Sequence, residues 1–286
     1  MPLPESRQEH WQQRIERARK LSADYPFAAE ILRFYARVLG CQRDLYARIE
    51  SARGGRPSER RSGSLRDELD LILLLPSFRP FLNLIERDAP APLSAAAGNL
   101  SGRGSEAWVK LLTTWWAHPD TGAGPSEDAS SEDAPAGAET RFCARAFLEP
   151  YAQYLAEHTE PPVIEQTPSV CPLCGARPQL GVLRPEGDGA RRSLVCSLCA
   201  TEWNYGRILC PACGEGNETH LAVYIAKELP HVRVEACDTC HVYMKTVDLS
   251  KNGLAVPVVD EIAAVPLDLW AREKGYSKLQ PNLLGM

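Results

Sequence analysis

No long apolar run occurs in these 286 residues; Leu71 to Leu75 is five residues, against about 20 needed to span a bilayer. Membrane insertion is therefore not expected. The first twenty residues, MPLPESRQEHWQQRIERARK, are polar and lack the apolar centre of a secretory signal, which places the expected site of action in the cytoplasm. Strongly basic segments are missing as well. Residues 1–117 carry 18 basic against 14 acidic side chains, residues 118–160 carry 2 against 9, and residues 161–286 carry 12 against 14. None of these balances is the basic footprint of a nucleic-acid-binding face. No glycine-rich dinucleotide or flavin motif is present, and the N-terminal half shows no pairing of nucleophile and base. A catalyst is not what this chain resembles.

The acidity concentrates at 118–140, HPDTGAGPSEDASSEDAPAGAET, with six acids and no base. Such a composition buries too little apolar surface to offset the entropy of ordering, so a solvated loop is expected there.

Helical patterning dominates before residue 160. From Pro26, with Asp24 as a cap, Ile31, Phe34, Tyr35, Val38, Leu39, Leu45, Tyr46 and Ile49 recur at helical spacing until Ala52, ahead of Gly54 and Gly55. A second stripe, Leu65, Leu69, Ile72 and Leu73, follows Ser64, with Glu68 near a capping-box position. Pro76 is expected to break or kink it, and Phe81 to Ile85 continues the pattern. Glu106 to Trp116 and Arg141 to His158 complete the set. Trp108, Trp115 and Trp116 read as core aromatics, and Cys41 and Cys143 as small buried side chains rather than reactive thiols.

The other eight of the ten cysteines form four C-x-x-C pairs: Cys171/Cys174, Cys196/Cys199, Cys210/Cys213 and Cys237/Cys240. In a reducing compartment so many cysteines point to metal or redox chemistry rather than to disulfides. A two-residue spacing lets a tight turn aim both sulfurs at one ion, and two such turns complete a tetrahedron. The pairs also repeat. Cys171-Pro-Leu-Cys-Gly175 returns 39 positions later as Cys210-Pro-Ala-Cys-Gly214, and the pairs at 196/199 and 237/240 are 41 positions apart. Spacers of 21 and 23 residues lie within the two units, and ten residues lie between them. The expected pairing is therefore first with second and third with fourth.

Each spacer reads as a β-hairpin: Gln179–Leu183 with Arg191–Val195 around Glu186-Gly-Asp-Gly189, and His220–Ile225 with His231–Ala236 around Leu229-Pro230. Third strands are expected at Glu202–Ile208 and Val242–Val247. The fold class is thus α+β, an all-helical N-terminal domain followed by two tandem rubredoxin-like, or zinc-ribbon-like, metal-binding β modules. Its expected divisions are a helical domain at 1–160, modules at 161–207 and 208–250, and a helical tail at 251–286. With four sulfurs per unit, His220, His231 and His241 are assigned to the surface or to supporting ligands rather than to coordination, and Trp203 and Tyr205 to the apolar cover of the first site. Thiolates suit both zinc and iron. Four thiolates around Fe(III) or Zn(II) leave each site at −1 or −2, which makes a nucleic-acid-binding zinc ribbon less suitable still.

These residues resemble the formate dehydrogenase accessory proteins of the FdhE type. The likeness rests on Cys-Pro-Leu-Cys-Gly at 171–175, Cys-Ser-Leu-Cys-Ala-Thr-Glu-Trp at 196–203, Cys-Pro-Ala-Cys-Gly at 210–214 and Cys-Asp-Thr-Cys-His-Val-Tyr-Met-Lys at 237–245. It continues through Val-Asp-Glu-Ile-Ala-Ala-Val-Pro-Leu-Asp at 259–268 and Gly-Tyr-Ser-Lys-Leu-Gln-Pro-Asn at 275–282. The stretches at 118–140 and 53–63 look like local insertions. The resemblance implies a cytoplasmic, non-catalytic maturation factor that binds the catalytic subunit of respiratory formate dehydrogenase before its twin-arginine export. It also implies two irons per chain, one held by Cys171, Cys174, Cys196 and Cys199 and the other by Cys210, Cys213, Cys237 and Cys240. The competing readings are a rubredoxin-like electron-transfer or thiol-redox protein and a zinc-ribbon interaction module.

Overall fold

The computed structural model describes residues 7–54, 64–118, 137–160, 162 and 167–286. Most of the stretch at 53–63, most of the acidic stretch at 118–140 and most of the 161–166 connection fall outside them, while 138–140, expected in the loop, open a helix. Among the described residues, six α-helices form the N-terminal half: α1 (Arg7–Asp24), α2 (Ala29–Arg53), α3 (Leu71–Asp88), α4 (Ala91–Arg103), α5 (Ser105–Ala117) and α6 (Ala138–Glu157). Helix α6 is buried along nearly its whole length from Phe142 to Leu155, which makes it the central helix of the bundle. Trp108, Trp115 and Trp116 are all buried, as their pattern implies. Helix α2 ends as expected, with Gly54 in the left-handed region returning its N–H to the Glu50 carbonyl. Among the described residues no helix is long and apolar enough to cross a membrane.

Several features depart from the expected pattern. Asp24, expected as a cap, ends α1 instead, and a 3-10 turn at Pro26–Ala28 precedes α2. The stripe from Leu65 opens as a single 3-10 turn, Leu65–Asp67, and α3 begins only at Leu71, where the Asp70 side chain caps the Leu73 N–H. Ile72, expected in the core, is 90% exposed. Pro76 and Pro80 nevertheless lie within a continuous helix. Ile72, Pro76 and Pro80 are four residues apart on the solvent face, the side on which a helix tolerates carbonyls left without an intrahelical partner. Pro150 in α6 is buried, and there the Gln42 side chain replaces the missing donor by bonding the Ala146 carbonyl at 2.7 Å. Helix α4, APLSAAAGNLSGR, has small residues and only a weak apolar stripe, and the sequence pattern does not reveal it.

The C-terminal half is built on one seven-stranded sheet. Its strands are β1 (Pro178–Glu186), β2 (Gly189–Cys196), β3 (Glu202–Asn204), β4 (Leu221–Ile225), β5 (Val232–Cys237), β6 (Val242–Asp248) and β7 (Ser277–Lys278), in the order β3-β2-β1-β6-β5-β4, with β7 also on β6. Both hairpins form as expected, and the third strand of the first unit stops at Asn204 rather than Ile208. The two units are joined by a parallel pairing of β1 with β6, Gly181 opposite Thr246 through Leu183 opposite Asp248. A Cβ at residue 181 would stand 2.4 Å from the Thr246 hydroxyl, so the seam requires glycine there.

The tail forms α7 (Pro257–Ala263) and α8 (Val265–Glu273) before β7. Three of its four acids, Asp260, Glu261 and Asp268, are buried. Lys245 of β6 pairs with Glu261 at 2.9 Å and with Asp268, while Lys278 reaches Glu261 at 2.5 Å and Asp268 at 3.0 Å. Tyr243 and Asn282 donate to the same carboxylates. Two cations and two anions thus neutralise each other away from water. His231 is buried rather than at the surface, and it shares Asp260 with Arg17 of α1, at 2.8 and 2.5 Å.

Candidate metal centres

The eight paired cysteines converge on two groups, Cys171, Cys174, Cys196 and Cys199, and Cys210, Cys213, Cys237 and Cys240, with all sulfurs of each within 4.8 Å of one another. Four sulfurs at about 2.3 Å from one ion stand about 3.8 Å apart along each tetrahedral edge. Measured edges are 3.4 to 3.6 Å in the first group and 3.7 and 3.8 Å in the second. The donor set and spacing therefore fit a closed four-thiolate site in both places.

Local backbone explains why C-x-x-C works here. In every pair the residue after the second cysteine has a positive φ: Gly175 at 73°, Ala200 at 56°, Gly214 at 77° and His241 at 54°. This turns the chain back so that amides face the first sulfur. The Leu198 and Cys199 N–H groups lie 3.4 and 3.5 Å from Cys196 Sγ, and the Ala212 N–H 3.4 Å from Cys210 Sγ. His241 serves this turn and is exposed, and it is not among the residues that converge on the second group. Bonds from Cys174, Cys196 and Cys199 push the Cys171 thiol down, the bond to Cys171 holds the Cys174 proton on, and burial pushes Cys196 up. Metal binding at such a set requires thiolates and so releases protons.

The two centres differ sharply in their surroundings. All four sulfurs of the first are on buried residues and belong to the same apolar core as the helices. Both of its knuckles are hydrogen-bonded to the helical half: the Leu65 N–H donates to the Leu173 carbonyl at 3.1 Å, and Arg145 of α6 donates to the Ser197 carbonyl at 3.1 Å. Arg145 also bonds Gln179, the carbonyls of Pro281 and Asn282, and the Glu149 carboxylate. Trp203 covers this centre as expected and donates to the Pro168 carbonyl.

In the second centre Cys213 is exposed and Cys240 half-buried. The repeat shows why. Ala176, which follows the first knuckle and is fully buried, is matched by Glu215 in the second. Glu215 accepts from Thr239 at 2.7 Å, between the opposite cysteines, and faces His220 at 3.3 Å. Bonds from the Asn217 backbone, Thr239 and His220 hold its carboxyl at about 2. A polar strut thus joins the two knuckles where the first centre has apolar packing. Tyr205, expected over the first site, instead approaches the Cys210 carbonyl at 3.4 Å, with Arg192 stacked on its ring. Sequence reading missed Arg145 and Glu215. Only Glu215 leaves a signal, as a charge breaking the repeat.

Two family descriptions match this half of the chain: FdhE, central domain, over residues 170–207, and FdhE, C-terminal domain, over residues 208–284. The Protein FdhE homolog of Aquifex aeolicus is 28% identical, covering 95% of this chain and 94% of its own. That of Pseudomonas aeruginosa is 30% identical over 75% of this chain and 69% of its own. The crystal structure of the FdhE protein from Pseudomonas aeruginosa superposes with a TM-score of 0.68 at 25% identity, over 97% of this chain and 95% of that one. With two consecutive family domains matched, a relative 30% identical over more than two thirds of either chain, and one fold shared over 97% of this chain, this chain belongs to the FdhE family.

Proposed function

We propose that the protein is a cytoplasmic, non-catalytic assembly factor for respiratory formate dehydrogenase, which binds the catalytic subunit before export and holds one iron at each four-cysteine centre. The observation that carries this reading is the closure of both centres. Four thiols converge on each point, which leaves no coordination position for a substrate. Family membership supports the accessory role, and the six-helix half is larger than an electron carrier requires. The test combines a deletion strain with recovery of the immature catalytic subunit on the tagged protein. Lowered formate dehydrogenase activity together with a captured subunit supports the proposal. Normal activity in the deletion with no captured subunit overturns it. The purified protein alone should oxidise no formate.

A second reading, electron transfer in the manner of a rubredoxin, is favoured by the exposure of Cys213 at the second centre. Elemental analysis and an absorption spectrum of freshly purified protein address the metal. Two irons per chain are expected, and a colourless, zinc-only native sample would overturn that assignment.

A further inference from the structure

A concavity of about 400 Å³ lies between α1 and α2, away from the cysteine groups in sequence, and four arginines line it: Arg19, Arg33, Arg37 and Arg43. Arg33 and Arg37 are one turn apart on α2, and Gly40 continues their stripe. Gly40 leaves the floor open, since a Cβ there would meet nothing within 4 Å. Ile15 and Ala36 complete an apolar base.

Among the described residues no carboxylate lines this groove. Asp88 bonds Arg37 at 2.6 Å but is also held by both arms of Arg87, so one acid serves two cations. Asp44 takes the fork of Arg43, whose other arm reaches Gln12. Arg19 and Arg33 form no ion pair with any described residue, although other exposed basic residues of these helices do, Lys20 with Asp24 among them. Like charges are thus gathered around an empty apolar-floored space with less than half of their charge answered.

We infer that this groove binds a small phosphorylated ligand of nucleotide size, independently of the maturation role. Guanidinium forks match phosphate oxygens in pairs, which a lysine cluster would not do. The volume falls within the range of small-molecule pockets, roughly 300–1,000 Å³. An apolar floor beside a cationic rim suits a ligand with a flat or hydrophobic body and a charged end. A nucleic-acid polymer is a poorer occupant, because residues 1–117 as a whole carry only 18 bases against 14 acids.

The test uses the full-length, metal-loaded protein with ADP and inorganic pyrophosphate as probes in equilibrium titrations. Saturable binding of ADP at one site per chain is expected, with pyrophosphate competing for it. Arg19→Ala with Arg33→Ala should weaken both probes at least tenfold. Gly40→Leu, which fills the floor and keeps every charge, should weaken ADP at least tenfold. Both variants alter solvent-facing helix positions, and each is checked for two ions per chain and unchanged melting before titration. The inference is overturned if neither probe binds saturably, if the double variant binds ADP as the parent does, or if a polyglutamate peptide or an oligonucleotide displaces ADP more effectively than pyrophosphate does.

Discussion

Replacing Arg145 by Met tests how the helical half and the first centre are held together. The side chain is 13% exposed, and it bonds three carbonyls, one amide and the Glu149 carboxylate, each at 3.0 or 3.1 Å. Methionine keeps most of the packing volume and removes every one of those bonds. Loss of one partner from a buried ion pair costs about 3–5 kcal/mol, chiefly because the remaining charge is left alone. At roughly 2 °C per kcal/mol for a chain of this size, the melting temperature should fall by about 6–10 °C. Glu149 gives the effect a pH signature. Burial already pushes its carboxyl up, and Arg145 is the main group opposing that rise. Without the arginine the carboxyl takes up a proton more readily, so the penalty is relieved at low pH and grows as pH rises. The stability difference between wild type and variant should therefore widen from pH 5 to pH 8, and a second change, Glu149→Gln, should remove that widening. Chelator should also extract the first ion faster, because the Ser197 carbonyl lies inside the Cys196–Cys199 knuckle. A melting shift below 2 °C, or accelerated loss confined to the second ion, would refute the account of Arg145 as the clamp on the first centre.

Cys171→Ser should empty the first centre and lower the stability of the helical half with it, whereas Cys213→Ser should empty the second centre and leave helix content and the first ion intact; metal analysis with circular dichroism reads both. In the wild-type protein a chelator should release one ion per chain well before the other, the early one from the centre containing exposed Cys213. Burial pushes the Glu261 carboxyl up, but Lys245 and Lys278 outweigh it and hold the group at about 2. A depressed carboxyl contributes its stability, here about 3 kcal/mol, fully above pH 4.5 and loses it as pH falls towards 2. The stability gap between wild type and Glu261→Gln in urea titrations should close over that interval, and a gap that persists at pH 2.5 would contradict the assignment.

The cysteine groups were legible because their information is local. A two-residue spacing and a repeat of 39 to 41 positions are both visible in the chain, whereas the left-handed turn after each pair is not, since Ala200 and His241 adopt it as Gly175 and Gly214 do. The parallel seam between β1 and β6 is not of this kind. It depends on a register between segments more than sixty residues apart, and its one trace is Gly181 inside a strand. Helix α4 escaped because alanine, serine and glycine pack closely without an apolar stripe. The buried acids of the tail escaped for a different reason. Asp260, Glu261 and Asp268 are ordinarily solvated residue types, and partners supplied by other elements, the cations Arg17, Lys245 and Lys278 foremost, make their burial tolerable. Lys245 does leave a clue, since it alternates with Tyr243 and Val247 on one strand face, and both neighbours are buried. Pro76 misled because a proline's effect depends on which side of the helix its orphaned carbonyl faces.

The seam has a consequence for anyone dividing the chain. The two family descriptions meet between residues 207 and 208, a cut that falls in the connection between β3 and β4. Yet β1 and β6, which lie on opposite sides of that cut, are neighbours in one sheet. A fragment that begins at residue 208 would present the flank of β6 bare from Thr246 to Asp248, and its counterpart would present Gly181 to Leu183. Uncovered strand edges recruit one another. Fragments carrying a single centre should therefore self-associate or precipitate, and mixing the two should restore solubility by rebuilding the plate. Units inherited as separate words in the sequence are, in this molecule, halves of one folded object.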